Sequence, residues 1–234
     1  VQRPFYPEGE TCHLYLLHPP GGIVGGDTLD ISVRLDAKSH ALITMPGASK
    51  FYRSSGPLAC LSQHFYLDEE ATLEWLPQDT IIFPGANAAL RSVFHLHATS
   101  TLLAWELYCL GRPVINETFS HGTLENRLEV WVDGEPRLIE RLHLSGGDLT
   151  PVADHPWVGT LLFYPAREAL LDAVRALLAP LENVGGATLT DDLLSVRFLS
   201  HDNLICQRVM RDIWQSLRPL LTSKTACSPR IWQT

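Results

Sequence analysis

Three carboxylates and one hydroxyl are the side chains of this sequence best placed to meet a cation inside an apolar body. Glu106 and Glu140 each lie within an apolar run, and Asp27 directly follows two glycines. A buried carboxylate is costly unless a cation, a hydrogen-bond donor or water compensates its charge. Ser49, after a Pro-Gly turn, adds a weaker oxygen ligand. The alternative is that each carboxylate faces solvent or pairs with a neighbour such as Arg141.

Two histidines offer a different chemistry. His95 and His97 are separated by one residue, so their imidazoles share one face of a predicted strand and could chelate one metal ion. No H-E-x-x-H motif, Cys/His cluster or carboxylate triad accompanies them. A metal-dependent hydrolase on a β scaffold, which needs a tightly held metal and an activated water, is therefore an alternative hypothesis. Strand-surface or packing histidines are far commoner than metal ligands, so we favour that interpretation of the pair.

The glycine-rich segment HPPGGIVGGD at residues 18–27 does not predict a phosphate cradle. Its glycines match neither the G-x-G-x-x-G nor the Walker spacing, and a strand follows instead of a helix N-terminus. We interpret the segment as a sharp loop between strands. Asp27, behind its last two glycines, could be exposed to a ligand by a close backbone approach.

Alternating apolar and polar residues predict a chain made mostly of strands. In residues 28–35, Leu29, Ile31 and Val33 alternate with polar side chains, which is typical of a half-buried strand. Asp133-Gly134 predicts a hairpin turn, and we expect antiparallel pairing in general. The predicted strands are residues 12–17, 28–35, 41–44, 62–67, 72–76, 92–97, 102–107, 127–132, 138–144, 159–163 and 194–199.

Helical spacing appears only late in the chain. Apolar residues from Leu170 to Leu181 predict one helix after Pro165. A second helix is predicted between residues 202 and 218, ended by Pro219. Strands followed by two helices argue against a doubly wound parallel sheet. The fold class is mainly β: a single domain over residues 1–234 with an antiparallel or mixed β-sheet body and two α-helices in the C-terminal third.

Net charge, cysteine content and apolar runs limit the classes of partner and the cellular location that the sequence predicts. The formal net charge is -8 and no Lys/Arg cluster is visible, which argues against nucleic acid. The five cysteines are dispersed and odd in number, as expected of reduced thiols in the cytoplasm. No apolar run reaches the roughly 20 residues that a membrane span requires.

Five stretches along the chain resemble, in order, the sequence of the urease accessory protein UreD (UreH) family. They are HPPGGIVGGD at 18–27, KFYRS at 50–54, LEWLPQD at 73–79, GRP at 111–113 with Glu117, and PRIW at 229–232. The resemblance spans essentially the whole chain. Family members carry a further stretch before the region similar to residues 1–7, so we expect an N-terminal segment to be missing here.

The resemblance implies an elongated β-rich body with two helices and a role in urease maturation. It implies a cytoplasmic, non-enzymatic chaperone or scaffold that joins UreF and the GTPase UreG on apo-urease and helps to insert nickel. Nickel(II) would be transient cargo on an internal path, not a tightly bound cofactor. Asp27, Ser49, Glu106 and Glu140 are the candidate path residues, because scattered oxygen ligands admit and release nickel more readily than a closed cage.

Four residues are candidates for partner binding. Lys50, Tyr52 and Arg53 combine cations with an aromatic ring, a composition favoured at interfaces. Trp232 lies in a tail of irregular pattern, where it either packs on the core or is buried by a partner, for which the resemblance favours UreF. A β-rich protein-binding module with no metal role remains an alternative.

Overall fold

The computed structural model describes residues 2–180 and 185–233 of the chain. Within them the fold is mainly β with two α-helices, as the sequence predicts. The strands are β1 Cys12–Tyr15, β2 Thr28–Leu35, β3 His40–Thr44, β4 Ser49–Phe51, β5 Ala59–Leu67, β6 Thr72–Trp75, β7 Thr80–Ile82, β8 Asn87–Leu96, β9 Thr101–Arg112, β10 Glu117–Thr118, β11 Thr123–Val132, β12 Glu135–Ser145, β13 Trp157–Tyr164, β14 Gly185–Thr190 and β15 Leu193–Ser200. The helices are α1 Glu168–Leu178 and α2 Asn203–Thr222.

The strands form two sheets, and most pairs before β12 are parallel. The five-stranded sheet has the order β12-β11-β8-β5-β2, and a ten-stranded sheet is built around β1-β3-β6-β9-β13-β15-β14. Pairs such as β2 with β5, β5 with β8 and β3 with β6 are parallel. The expectation of antiparallel pairing is therefore wrong for this part of the chain. It holds for β11–β12 and for β9–β13–β15–β14.

Parallel pairing arises because the chain winds around the interior. Strand β2 lies in the five-stranded sheet, β3 in the ten-stranded sheet, and β5 returns to pair with β2. The strands β2, β5 and β8 begin at residues 28, 59 and 87, so each circuit adds one strand to the five-stranded sheet. The ten-stranded sheet gains β3 and β4 in the first circuit and β6 and β7 in the second. Alternation of side chains is the same in parallel and antiparallel strands, which is why it does not reveal this winding.

Both faces of the ten-stranded sheet are buried. One face packs on the five-stranded sheet, where Phe65 stacks on Phe94 and contacts Trp75. The other face packs on the two helices, with Trp214 of α2 among its buried contacts. Strand β9 is consequently buried at nearly every position, the pattern of a strand covered on both sides.

The next local predictions concern one hairpin turn and the ends of the two helices. Asp133 and Gly134 both have positive φ, 48° and 83°, and connect β11 to β12 as the predicted hairpin. The expectation that Pro219 ends the second helix is wrong, because α2 continues to Thr222 with Pro219 inside its last turn. Asp202 caps α2 by accepting a hydrogen bond from the Leu204 N–H at 2.8 Å. Leu181, predicted to continue α1, lies outside the described residues.

A buried ion-pair network ties the first residues and α2 to the sheet. Arg218, on α2, is fully buried and its Nε lies 3.0 Å from both carboxylate oxygens of Glu74 on β6. Its two terminal nitrogens also donate to Glu8 at 2.9 and 2.7 Å. His13 and His40 contact Glu8 and Glu74 in turn, at 2.7 and 2.8 Å. The network joins three distant segments across the edge of the ten-stranded sheet.

Candidate functional site

Glu106 lies in the interior between the two sheets. It projects from β9 and its carboxylate accepts hydrogen bonds from the Ser92 hydroxyl at 2.5 Å and the Tyr108 hydroxyl at 2.7 Å. The Asn126 amide lies 3.5 Å away. No cation pairs with Glu106 among residues 2–180 and 185–233. A buried carboxylate held only by neutral donors is an attractive position for a passing cation.

Burial also changes the proton affinity of this carboxylate. Removal from solvent raises the pKa of Glu106 above its ordinary value, and hydrogen bonds from Ser92 and Tyr108 offset this only in part. The charge of nearby Glu140 raises the pKa further. A divalent cation would compete with a proton for this carboxylate, so binding there would depend on pH.

Ser49 and Glu140 lie on opposite sides of Glu106. Ser49 is the first residue of β4, half-buried, with its hydroxyl directed to the Met45 sulfur at 3.7 Å. Glu140 on β12 is half-buried and forms a two-pronged ion pair with Arg197 on β15, with both N···O distances 2.7 Å. The neighbour that pairs with Glu140 is therefore Arg197 and not Arg141.

Three cavities that share lining residues follow one another past Ser49, Glu106 and Glu140. A first cavity of about 490 Å³ is lined by His18, Ser49 and Lys50. It shares Ser49 with a narrow second cavity of about 20 Å³ that reaches Glu106 and Tyr108, which leaves room for roughly one water molecule. Tyr108 also lines a third cavity of about 490 Å³ that contains Glu140.

The cavities run across the strands. Along the ten-stranded sheet, their lining steps from Ser49 on β4 to Thr80 on β7 and Tyr108 on β9. It continues to Thr160 on β13 and Arg197 on β15. Each wide space shares lining residues with the narrow second cavity, and the second cavity contains the buried Glu106.

Asp27 differs from the other candidates. It is exposed in the loop before β2, and its carboxylate accepts a hydrogen bond from the Val24 N–H at 3.1 Å. The expectation that it is embedded in an apolar setting like Glu106 is wrong. Its loop nevertheless borders the first cavity, because Gly22 and Ile23 line that space.

Comparison with known proteins decides the family. A family model described as UreD urease accessory protein matches residues 1–233. The chain belongs to the UreD family. Urease accessory protein UreD from Enterobacter sp. (strain 638) is 77% identical over the whole chain and 85% of its own length. The UreD proteins of Klebsiella aerogenes and Pseudomonas putida (strain GB-1) are 71% and 54% identical over the whole chain, which covers 87% and 84% of them.

Three of the UreD-like stretches meet at one end of the molecule. Ile23 bridges to Phe51 in parallel, and the Tyr52 N–H donates to the Ile23 carbonyl at 3.0 Å. Gly22 is required here, since a Cβ at this position would lie 2.3 Å from the Tyr52 ring. The Tyr52 ring meets Phe83 edge to face at 5.1 Å.

The UreD-like stretch GRP at 111–113 forms a hairpin tip beside these rings. The Arg112 guanidinium lies 4.9 Å from the Phe83 ring centre and pairs with Glu117. Pro113 opens a 3-10 turn whose apex exposes Val114 by 93% and Ile115 by 58%. Composition alone gave no signal for this tip, because two adjacent aliphatic residues usually indicate burial.

The other predicted residues divide between surface and core. Lys50 is half-buried at the first cavity, and Arg53 is exposed beside Gly85. Trp232 packs on the core of this UreD chain, 5.5 Å from Trp105 and 5.6 Å from Trp214. Its indole N–H donates to the Thr44 hydroxyl at 3.1 Å. The C-terminal tail therefore packs against the core of this chain through Trp232.

The histidine pair has other neighbours. His95 stacks on Tyr66 at 4.9 Å, and His97 contacts the Thr99 hydroxyl at 2.9 Å. In the part of the chain that the structure describes, no three His, Cys, Asp or Glu side chains converge as metal ligands. None of the described helices is long and apolar enough to cross a membrane. The geometry supplies no third ligand from which a hydrolase site at His95 could be built.

Sequence reasoning missed Tyr108, Asn126 and Arg197, which complete the surroundings of the two glutamates. Tyr108 could have been noticed, because it lies two residues after Glu106 on the same side of a strand. Arg197 is 57 residues from Glu140. Only the fold of this UreD protein brings these two residues together.

Proposed function

We propose that this chain is a non-enzymatic urease maturation factor that guides nickel through its interior towards apo-urease. It works in the cytoplasm together with UreF and the GTPase UreG, and GTP hydrolysis belongs to UreG. Membership of the UreD family supports the role in urease maturation. The observation that carries the path itself is the row of cavities joined at Glu106.

The chemistry of the row suits transient nickel. Nickel(II) accepts oxygen ligands, and its affinity is high wherever geometry allows. Single carboxylates flanked by hydroxyls attract the ion without enclosing it, which permits release. Glu106 has no resident cation to displace, whereas Glu140 must exchange Arg197 for the metal. We therefore place passage at Glu106 and controlled release at Glu140.

The first cavity is the proposed side of admission. Asp27 is exposed on its bordering loop and supplies the first carboxylate that an arriving ion meets. Ser49 then provides a hydroxyl where the first and second cavities join. The narrow second cavity requires nickel to lose most of its water shell, and Glu106 compensates for that loss.

The end of the molecule formed by the three UreD-like stretches is the proposed docking surface. Lys50, Tyr52 and Arg53 lie there beside the exposed tip at Val114. The tip is stiffened by Pro113 and by the Arg112–Glu117 pair, so little flexibility is lost on binding. Trp232, half-buried beside Arg211, offers a second contact for UreF.

The test co-expresses apo-urease, UreF and UreG with this protein or with its Glu106→Gln or Glu140→Gln variant. Nickel per urease active site and urease activity are measured, and recovery of the assembled complex is measured in parallel. We expect normal assembly with nickel content lowered at least several-fold. Glu69→Gln, which removes an exposed carboxylate far from the cavities, is the matched control and should behave as wild type.

Full nickel loading by both variants would show that the protein is a scaffold and that nickel does not pass Glu106. A variant that fails to assemble would instead place its glutamate in the docking function. The double change Asp27→Ala/Glu140→Ala extends the test to both ends of the path. It should lower nickel content further than Glu140→Ala alone if Asp27 belongs to the route.

A further inference from the structure

Three arginines form a row across the outer face of the five-stranded sheet. Arg91 on β8 is directly opposite Arg127 on β11, which is directly opposite Arg141 on β12. Residues paired in this way lie on the same face of a sheet, and neighbouring strands are about 4.8 Å apart. Like charges opposite one another destabilise a sheet unless an anion compensates them.

The chain itself compensates two of the three arginines. Glu129 on β11 is almost fully buried, and its Oε1 accepts hydrogen bonds from Arg91 Nε at 3.1 Å and Nη2 at 3.0 Å. Arg127 Nε lies 2.6 Å from the same oxygen. The other oxygen accepts a hydrogen bond from the Trp131 indole at 3.0 Å. One carboxylate thus fixes two guanidinium groups in place.

The third arginine is left without a counter-charge. Arg141 is exposed and has no ion pair within residues 2–180 and 185–233. Glu125, the next outward carboxylate along β11, lies 3.7 Å from His143. The three arginines thus share this face with two carboxylates, Glu129 and Glu125, which leaves one positive charge in excess on a chain whose net charge is -8.

A flat aromatic surface lies further along the same face of the sheet, with His95 four residues from Arg91 on β8. Tyr66 and His95 stack at 4.9 Å with an angle of 7° between their rings, and Arg34 lies 4.8 Å from the Tyr66 ring centre. Rings and arginines fixed by stacking and ion pairs lose little freedom on binding, and both residue types are enriched at protein interfaces.

We propose that this face binds an acidic helix of a partner protein, with carboxylates of the helix contacting the Arg91–Arg127–Arg141 row. Side chains one helical turn apart are about 5–6 Å from each other, which matches the spacing of the arginines better than the roughly 6.6 Å repeat along one side of a strand. Arg91 and Arg127 are not among the residues that line the three cavities, whereas Arg141 also lines the third cavity beside Glu140. A peptide-binding test therefore addresses this face without measuring nickel transfer.

The test measures binding of a fluorescent helical peptide that carries Glu at every fourth position, by anisotropy at fixed salt. The wild-type protein is compared with Arg141→Gln, whose side chain has no ion pair to lose. We expect about 3- to 10-fold weaker binding by the variant, as for the loss of one charge-assisted contact. Arg208→Gln on the exposed side of α2 removes the same charge elsewhere and should bind as wild type.

Two further probes make the outcome decisive. The same peptide with Gln in place of Glu should bind at least several-fold more weakly than the Glu peptide. Equal binding of both peptides, or equal losses for Arg141→Gln and Arg208→Gln, would overturn the proposal. Single-stranded DNA of the same charge that binds as tightly, with the same loss in Arg141→Gln, would also overturn it in favour of a nucleic-acid surface.

Discussion

At the scale of single residues, Glu106 combines a cost in stability with a proposed use in metal transfer. Its carboxylate is buried and receives hydrogen bonds only from neutral groups. An apolar or neutral residue of similar size would avoid the desolvation of the charge. The charge of Glu140 is instead compensated by Arg197, which is why the two glutamates should respond differently to substitution.

Replacing Glu106 by Gln should make the stability of the protein less sensitive to pH. Burial raises the pKa of Glu106, so the folded state holds its proton at pH values where the unfolded state has lost it. Wild-type stability therefore falls as pH rises from the ordinary value of 4.5 towards the raised value. Thermal unfolding of both proteins across this range should show the variant gaining relative stability as pH rises.

The matched comparison for this prediction is Glu69→Gln, an exposed carboxylate in the turn before β6. Its pH profile should follow that of the wild-type protein. A Glu106→Gln profile parallel to that of wild type would mean that Glu106 titrates normally in the folded state, which contradicts the burial argument.

At the scale of elements, different residues of the β9–β10 hairpin are assigned to its folding and to its proposed binding of a partner. Gly111 has a positive φ of 88°, and a Cβ there would lie 2.4 Å from the Glu117 carbonyl oxygen, so the hairpin depends on glycine at this position. The apex residues contribute little to the core, since Val114 and Ile115 are largely exposed. The proposed docking surface assigns these two exposed apolar residues to contact with a partner.

The double variant Val114→Ser/Ile115→Ser should fold normally and bind partners less well. We expect the free energy of unfolding to change by no more than about 0.5 kcal/mol, as for other exposed positions. Recovery of UreF with the tagged protein should fall several-fold, because apolar anchors dominate interface energy. Leu204→Ser, which alters an exposed leucine on α2, serves as the control; equal recovery for both variants would remove the tip from the docking surface.

At the scale of the whole molecule, the Glu8–Arg218–Glu74 network closes the chain on itself. It links residues 8 and 218, which are 210 positions apart. Burial raises the pKa of Glu74, but hydrogen bonds from His40 and Arg218 lower it to below the ordinary value of 4.5. The network therefore stabilises the fold above that pH, and its contribution is lost as pH falls through the depressed pKa.

Removal of the Arg218 guanidinium, which pairs with both Glu8 and Glu74, should be among the most damaging single changes in the protein. Arg218→Met leaves Glu74 buried without its charge partner, and we expect a loss of about 3–5 kcal/mol in the free energy of unfolding. Chemical denaturation at neutral pH measures the change. Arg208→Met on the exposed side of the same helix should change stability by only about 0.5 kcal/mol, and similar losses for both would refute the network's role.

Sequence patterns predicted the elements of this fold better than their arrangement. Alternation located β2 at its observed bounds, and Asp133-Gly134 located the β11–β12 hairpin. The parallel pairing of the strands was not predictable, because it depends on contacts between strands that are separated by one full circuit of the chain around the interior. The burial of Glu106 followed from its apolar surroundings in the sequence, whereas the exposure of Asp27 depends on a turn that its own side chain closes.

The winding of strands has a consequence for how this interior could vary in length. The cavities cross the strands, so each circuit of chain lengthens the space between the sheets by one strand spacing, about 4.8 Å. The length of this space therefore changes in steps. Deleting the circuit that contains β5 and β6 would shorten the space by one step and leave the remaining strands paired in parallel. The length of the space between the sheets is therefore set by the number of circuits, and insertions in surface loops leave that length unchanged.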